Sequence, residues 1–458
     1  MREVTDPAVA AALRELARED PAVADIATAA LQALTSEGGL ESITQYGLQE
    51  WLWCQLPVAF PADEDAQGAQ ASAAALARLL AMVGLPRYAA VCASQTTREV
   101  LAAYDRGESA GRAASRRAMG SSGVVPPDVP ELAWGDVMGT AEVAAYYTCA
   151  AALEIAIEGG AFAPGARGWR TAQQGATRAH LLRPRPDLGG ECWLDRVLAE
   201  RVERWLGSRG GARRQLLAAL GDQLLGPSLP APEDAAAHVA PVRWLLDRAA
   251  DGVELTQTDR LRPAVVTEFA EAFGWDDVPG KRRLEDDVVE VRTARDLARR
   301  TGALRRSGRR LALTATGRRL AGDPAALWQR LATHLVGDGF RGAVEELALA
   351  AIVTRTGTGT IVSDAGDDSE DGVADVVTAA VVGEGWRDQD GTAPDTRVVR
   401  WTLVDLHWAL EVLGLLDVPP GSPRWSWSWR LNPAGRRAAL AALRARATRP
   451  RRTPRDRA

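Results

Sequence analysis

Apolar residues recur at helical spacing through the first half of the chain. Leu13, Leu16 and Ala17 mark one short stripe, and Val23, Ile26 and Ala30 mark the next. Each stripe is opened by an acid followed by proline, Asp6-Pro7 and Asp20-Pro21, the spelling of an N-cap with proline in the first turn. The same spacing predicts helices over 68–84, 140–157, 193–206 and 213–225. Trp51 and Trp53, two apart, cannot share one narrow helical face, so they are expected to flank a wide buried stripe.

The pattern changes after 226–232, where three prolines interrupt the periodicity. Beyond it, helical stretches alternate with short strand-like runs. Helices are expected over 243–249, 263–273, 291–301, 325–336, 404–415 and 433–447. Strands are expected over 253–255, 310–313, 397–402 and 425–429, the last with Trp425, Trp427 and Trp429 on one face. The expected organisation is a helical domain over 1–225 with an internal break near 121–130, then two modules over 234–340 and 341–447. A basic, proline-broken tail, 448–458, is expected to be disordered.

One phrase recurs in the back half. Leu313-Thr314-Ala315-Thr316-Gly317-Arg318-Arg319 returns as Leu431-Asn432-Pro433-Ala434-Gly435-Arg436-Arg437, and Leu255-Thr256-Gln257-Thr258-Asp259 is a looser copy. Leucine would end a strand pointing into the core. Thr or Asn would then cap the orphan N–H groups of the next helix. Ile43-Thr44-Gln45-Tyr46-Gly47 also fits, but no hairpin pattern precedes it. Helix, β-hairpin and capped helix in that order is how a winged helix reads. The expected fold class is therefore mainly α, with two winged-helix-like modules carrying short β-hairpins.

Charge sharpens the picture only locally. The whole chain carries a net charge of −5. Between Lys281 and Arg319, however, thirteen basic and five acidic residues leave +8. At 100° per residue Arg292, Arg295, Arg299 and Arg300 share an arc of about 140°, opposite Val291, Ala294, Leu297 and Ala298. The next turn adds Arg305, Arg306, Arg309 and Arg310. A helix with an arginine face beside an arginine-rich wing is a footprint for duplex DNA phosphates. A merely solvated helix face is the plainer reading of the same charges. The second module has Asp405 and Glu411 on its helix, which points to a protein partner or to self-association.

Other chemistry finds little support. Cys54, Cys92, Cys149 and Cys192 are far apart and read as buried free thiols in a reducing compartment rather than zinc ligands. Asp367, Ser369, Asp371, Gly372 and Asp375 nearly spell a calcium loop, but Thr378 stands where the bidentate Glu belongs. The four histidines are scattered singly, and no phosphate-binding glycine loop or hydrolase signature is present. No cofactor and no enzymatic activity are expected. With no apolar run of membrane-spanning length and no signal-peptide pattern, a cytoplasmic location is expected.

The stretch from Gly252-Val253-Glu254-Leu255-Thr256 through Leu297-Ala298-Arg299-Arg300 to Gly317-Arg318-Arg319-Leu320 and Trp328 resembles the C-terminal region of an uncharacterised family of actinobacterial plasmid-type open-reading-frame proteins. That family implies no activity. Trp429-Arg430-Leu431-Asn432-Pro433-Ala434-Gly435 resembles the wing-to-helix junction of MarR-like and PadR-like regulators, with Asn432 in place of the usual Thr. Those families imply DNA binding by dimers. The expected function is DNA binding of a regulatory or plasmid/defence type. The alternative is a protein-interaction scaffold of the same fold.

Overall fold

The computed structural model describes residues 6–35, 38–59, 62–207, 210–226, 229–275, 284–357, 370–388, 390–417 and 429–453. The protein is mainly α-helical. It divides into two compact units: residues 1–197 with the tail from Pro450, and Leu198–Arg449. The longer helices are numbered below in chain order.

The first unit contains α1 (Pro7–Glu19), α2 (Pro21–Thr35), α3 (Gln45–Glu50), α4 (Ala62–Met82), α5 (Pro86–Cys92), α6 (Gln95–Tyr104), α7 (Glu108–Ser122), α8 (Thr140–Glu158) and α9 (Trp169–Leu182). Asp6 and Asp20 cap α1 and α2, accepting from Ala8 N at 2.8 Å and from Ala22 N at 3.0 Å. Val9, Leu16, Leu31, Leu52, Leu76 and Leu80 fill the core between α1, α2 and α4. Helix α3 runs into a π turn, Trp51–Gln55. The wider turn lets Trp51 and Trp53 both face inward despite their spacing. It also leaves the Trp53 carbonyl to accept from Ser115 Oγ at 2.5 Å and Tyr104 OH at 3.2 Å.

The tail belongs to this unit as far as Thr453. The Arg451 carbonyl accepts from Asp136 N at 2.7 Å, and Arg452 pairs with Asp136 at 3.2 Å. The expectation of a wholly disordered tail is corrected to that extent. Cys92, Cys149 and Cys192 are buried and all four thiols are free, but Cys54 is exposed, which corrects the expectation that it is buried.

The chain enters the second unit within α10 (Trp193–Gly207) and continues through α11 (Gly211–Ala218) and α12 (Ala240–Arg248). Then follow β1 (Val253–Glu254), α13 (Pro263–Ala272), α14 (Val289–Arg300), β2 (Leu304–Ser307) and β3 (Arg310–Leu313). The strands form one antiparallel sheet of order β1-β3-β2, with Val253 opposite Leu311 and Leu304 opposite Leu313. Helices α15 (Ala315–Ala321), α16 (Pro324–Thr333), α17 (Gly339–Gly357), α18 (Glu370–Gly383), α19 (Thr396–Val412) and α20 (Pro433–Ala447) complete it. One continuous core runs from Val202 to Ala447. The break expected at 226–232 therefore does not bound this unit: Leu217, Leu220 and Leu224 share the core with the later helices.

The repeated phrase has a repeated structure. Gly302 (φ 72°) turns the chain out of α14, and Gly414 (φ 59°) turns it out of α19. Leu304 then pairs with Leu313, and Leu416 bridges Leu431. Thr314 Oγ1 accepts from Gly317 N at 2.9 Å and donates to the Gly302 carbonyl at 2.7 Å. Asn432 does the same with two atoms: Oδ1 accepts from Gly435 N and Nδ2 donates to the Gly414 carbonyl, both at 2.8 Å. Each cap residue thus ties a new helix to the end of an earlier one.

Residues 397–402 are helical rather than a strand. Asp395 caps α19 by accepting from Arg397 N at 3.0 Å. Val399, Leu403, Leu406 and Leu410 then bury one helical stripe, and that packing overrides the β-branched Val398-Val399 pair. Gly372 and Asp375 lie in α18, so this end of the calcium-like spelling is helix and not a ligand loop. Trp425, Trp427 and residues 358–369 lie outside the described residues.

Candidate nucleic-acid interface

Helix α14, the β2–β3 hairpin and the turn over 256–260 form the arginine-rich region. The hairpin closes on Gly308-Arg309 between Ser307 and Arg310. Gly308 takes φ 60°, the left-handed value that the first central position of a tight two-residue hairpin turn demands. Only Leu304, Leu311 and Leu313 anchor the hairpin in the core. Arg305, Arg306, Arg309 and Arg310 are all exposed.

The turn over 256–260 is not a helix cap like the other two copies. Leu255 bridges Leu261, and Thr256 Oγ1 accepts from Arg260 N at 3.0 Å. Asp259 stands at φ 59°, and among the described residues it alone without being glycine has a positive φ. Aspartate tolerates that region better than most residues. Its carboxylate holds Arg306. Arg306 is also fixed through Nε to the Gly308 carbonyl at 2.9 Å.

The arginine face of α14 is narrower than its helical wheel. Arg295 is 4% exposed. Its Nη1 lies 2.8 Å from both Glu285 carboxylate oxygens, and its Nη2 donates to the Asp259 carbonyl at 2.6 Å. Glu285 is itself buried and accepts from Leu261 N at 2.5 Å. Arg295 is therefore the strut that fixes the turn to the helix, and it does not join the exposed set. Arg300 leans the other way, 3.6 Å from the buried Glu345 of α17. Glu345 also takes Arg341 at 2.8 Å and Gly337 N at 2.7 Å. Arg299 is exposed and Arg292 is half-buried.

Two groups emerge. Arg292, Arg299, Arg305, Arg309 and Arg310 have no acidic partner among the described residues. Arg295, Arg300 and Arg306 are committed to Glu285, Glu345 and Asp259. Sequence reasoning passed over Arg318 and Arg319, which are exposed on α15 directly after the hairpin. Their place in the repeated phrase was the available signal.

Helix α14 also packs along α19, the corresponding helix of the second half of the unit. Asp296 and Arg299 are its only exposed positions, so it offers an edge rather than a broad face. On the second half, Trp429 is buried with its ring 5.2 Å from His407, so this tryptophan serves the unit's own core. Among the described residues no helix is long and apolar enough to cross a membrane, and no cluster of side chains could hold a metal ion.

Comparison of the chain with protein-family models, curated proteins and solved structures finds no match.

Proposed function

We propose that the second unit is a pair of winged-helix-like modules and that the first of them grips the phosphate backbone of duplex DNA. The order helix, strand, helix, helix, hairpin with a β1-β3-β2 sheet supports the fold. The matching joints at Thr314 and Asn432 support the pairing. The reading rests on one observation above all: Arg299, Arg305, Arg309 and Arg310 are exposed, and among the described residues no carboxylate pairs with them. Because α14 shows only an edge, the contact is led by the hairpin and is tolerant of sequence. The resemblance of the Trp429–Gly435 junction to MarR-like and PadR-like regulators suits such a role.

Fluorescence anisotropy with a labelled duplex tests it. Arg299→Ala, Arg305→Ala and Arg309→Ala should each lower the salt slope of binding by about 1 and weaken all sequences alike. A full-length protein that leaves the duplex unbound at ~50 mM salt would sink the proposal.

A second reading is favoured by the packing of α14 on α19, which covers much of the surface a groove-reading helix needs. In that reading the unit is a protein-interaction scaffold. Trp401 of α19, 70% exposed, would then be its contact residue. Trp401→Ser would abolish partner binding or self-association in sedimentation and leave duplex binding unchanged.

A further inference from the structure

Helices α3, α5, α6 and α7 of the first unit enclose an open cleft of about 350 Å³. Gln49 is among its lining residues and is only 4% exposed. Its Oε1 is buried without a hydrogen-bond partner, and its Nε2 makes no bond among the described residues. Burying an amide in this state costs stability unless something else pairs with it. Gln49 also leads directly into the π turn at Trp51–Gln55, a backbone irregularity that recurs at ligand sites.

The neighbouring side chains do not serve it. Ser121 and Ser122 donate to carbonyls of their own helix, Ala118 at 2.9 Å and Met119 at 2.8 Å. Ser94 caps α6 at Thr97 N, 3.1 Å away. Trp53 Nε1 donates to Thr97 Oγ1 at 3.0 Å. The charged residue on the wall, Arg87, is held by Glu154 at 3.4 Å and by Glu158, with Nη2 on Gln45 Oε1 at 2.6 Å. Two carboxylates beside one guanidinium leave the wall with no net positive charge to attract an anion.

A carboxamide with neither end paired among the described residues carries a donor and an acceptor side by side in one plane. Its complement is an edge bearing the same pair, and the match survives interchange of the amide N and O. We propose that this cleft binds a small neutral molecule through a planar donor–acceptor edge paired with Gln49. Such an edge belongs to a nucleobase or to a primary carboxamide. The site is independent of the DNA reading, since it lies in the other unit.

Calorimetric titration of the full-length protein with adenosine, nicotinamide and inorganic phosphate tests the assignment. Adenosine or nicotinamide should bind saturably, and whichever binds identifies the source of the edge; phosphate should give no heat. Gln49→Met keeps the side-chain length without the paired donor and acceptor, and should weaken binding about tenfold or more. It should fold with an equal or higher Tm, because it removes an unpaired polar group. Gln49→Glu, which swaps the donor for a second acceptor, should also lose binding and decides the matter if the Met variant does not fold. The proposal is overturned if neither neutral probe binds the wild type at up to ~10 mM. It is equally overturned if the folded variants bind as the wild type does, or if phosphate binds more tightly than both probes.

Discussion

Gly317 and Gly435 stand at equivalent points of two joints: a Cβ built on either would lie 2.1 Å from a backbone oxygen, that of Ala303 in one and of Leu415 in the other. Both glycines sit in the first turn of a helix whose cap residue reaches back to the preceding glycine turn. The close approach is what lets Thr314 and Asn432 bridge the two segments.

Alanine at either position must push the carbonyl away. Gly317→Ala and Gly435→Ala should each lower the unfolding free energy by about 2–3 kcal/mol, as overpacking against a fixed backbone does. Gly47 is the control. It follows the same cap spelling, with Thr44 accepting from Gly47 N at 3.1 Å, but a Cβ there meets only Thr44 Oγ1 at 3.2 Å. Gly47→Ala should be neutral or stabilising by up to about 1 kcal/mol, the helix preference for Ala over Gly. Urea midpoints of the three variants decide it; equal effects at Gly317 and Gly47 would refute the close-approach argument.

Arg295 and Arg299 lie one turn apart on α14 and should behave in opposite ways. Arg295→Ala leaves Glu285 buried without its cation and should cost about 3–5 kcal/mol. Arg299→Ala removes an exposed group and should change stability by no more than about 0.5 kcal/mol. Thermal denaturation of each variant in the absence of DNA makes the comparison. A stable Arg295→Ala protein would put that residue back on the binding face.

These cases mark what a single sequence can carry. The caps at Asp6, Asp20 and Thr314 were legible because a cap is a local event: the donor amides follow within three residues. The β2–β3 hairpin was legible for the same reason. Arg295 was not, because the groups that turn it inward, Glu285 and the Asp259 carbonyl, arrive from chain 10 and 36 residues away. Nor was the tail, whose Arg452 meets Asp136 across 316 residues. Residues 397–402 were misread because two adjacent valines look like a strand until Leu403, Leu406 and Leu410 complete the helical stripe. The Gln49 cleft left no trace in the sequence at all. An unpaired amide can be recognised only once its neighbours are known to be occupied.

The proline-rich segment at 226–232 misled in another way, since a break in periodicity marks a loop and not always the edge of a core. Arg213 on α11 is 4% exposed, 2.7 Å from Glu384 and bonded to Glu346 of α17, with its guanidinium 4.7 Å from the Trp205 ring. Arg213→Ala should cost about 3–5 kcal/mol, because two buried carboxylates lose a shared cation. A fragment of residues 198–449 should unfold cooperatively in urea, whereas residues 234–449 should not. Circular dichroism on both fragments checks this. Equal stability of the two would restore the boundary to 226–232.

Acid should weaken the second unit through His334. This residue ends α16, with its ring Nδ1 2.9 Å from the Arg330 carbonyl. A helix C-terminus ordinarily favours the imidazolium. Here burial acts first and the Arg330 charge second, and together they hold the ring below its ordinary value of 6.5. The folded state therefore binds fewer protons than the unfolded chain just below that value, and stability rises with pH there. His334 imposes no penalty above pH 6.5, and its penalty grows as the pH falls from there toward the lower folded value. His180 in the first unit has the same sign, lowered by burial and then by Arg185 and Arg183. Urea unfolding at pH 7.5 and at pH 5 should show a smaller acid loss for His334→Gln than for the wild type, and a smaller one still when His180→Gln is added. An unchanged or steeper loss in the single variant would mean that the ring is protonated in the folded protein.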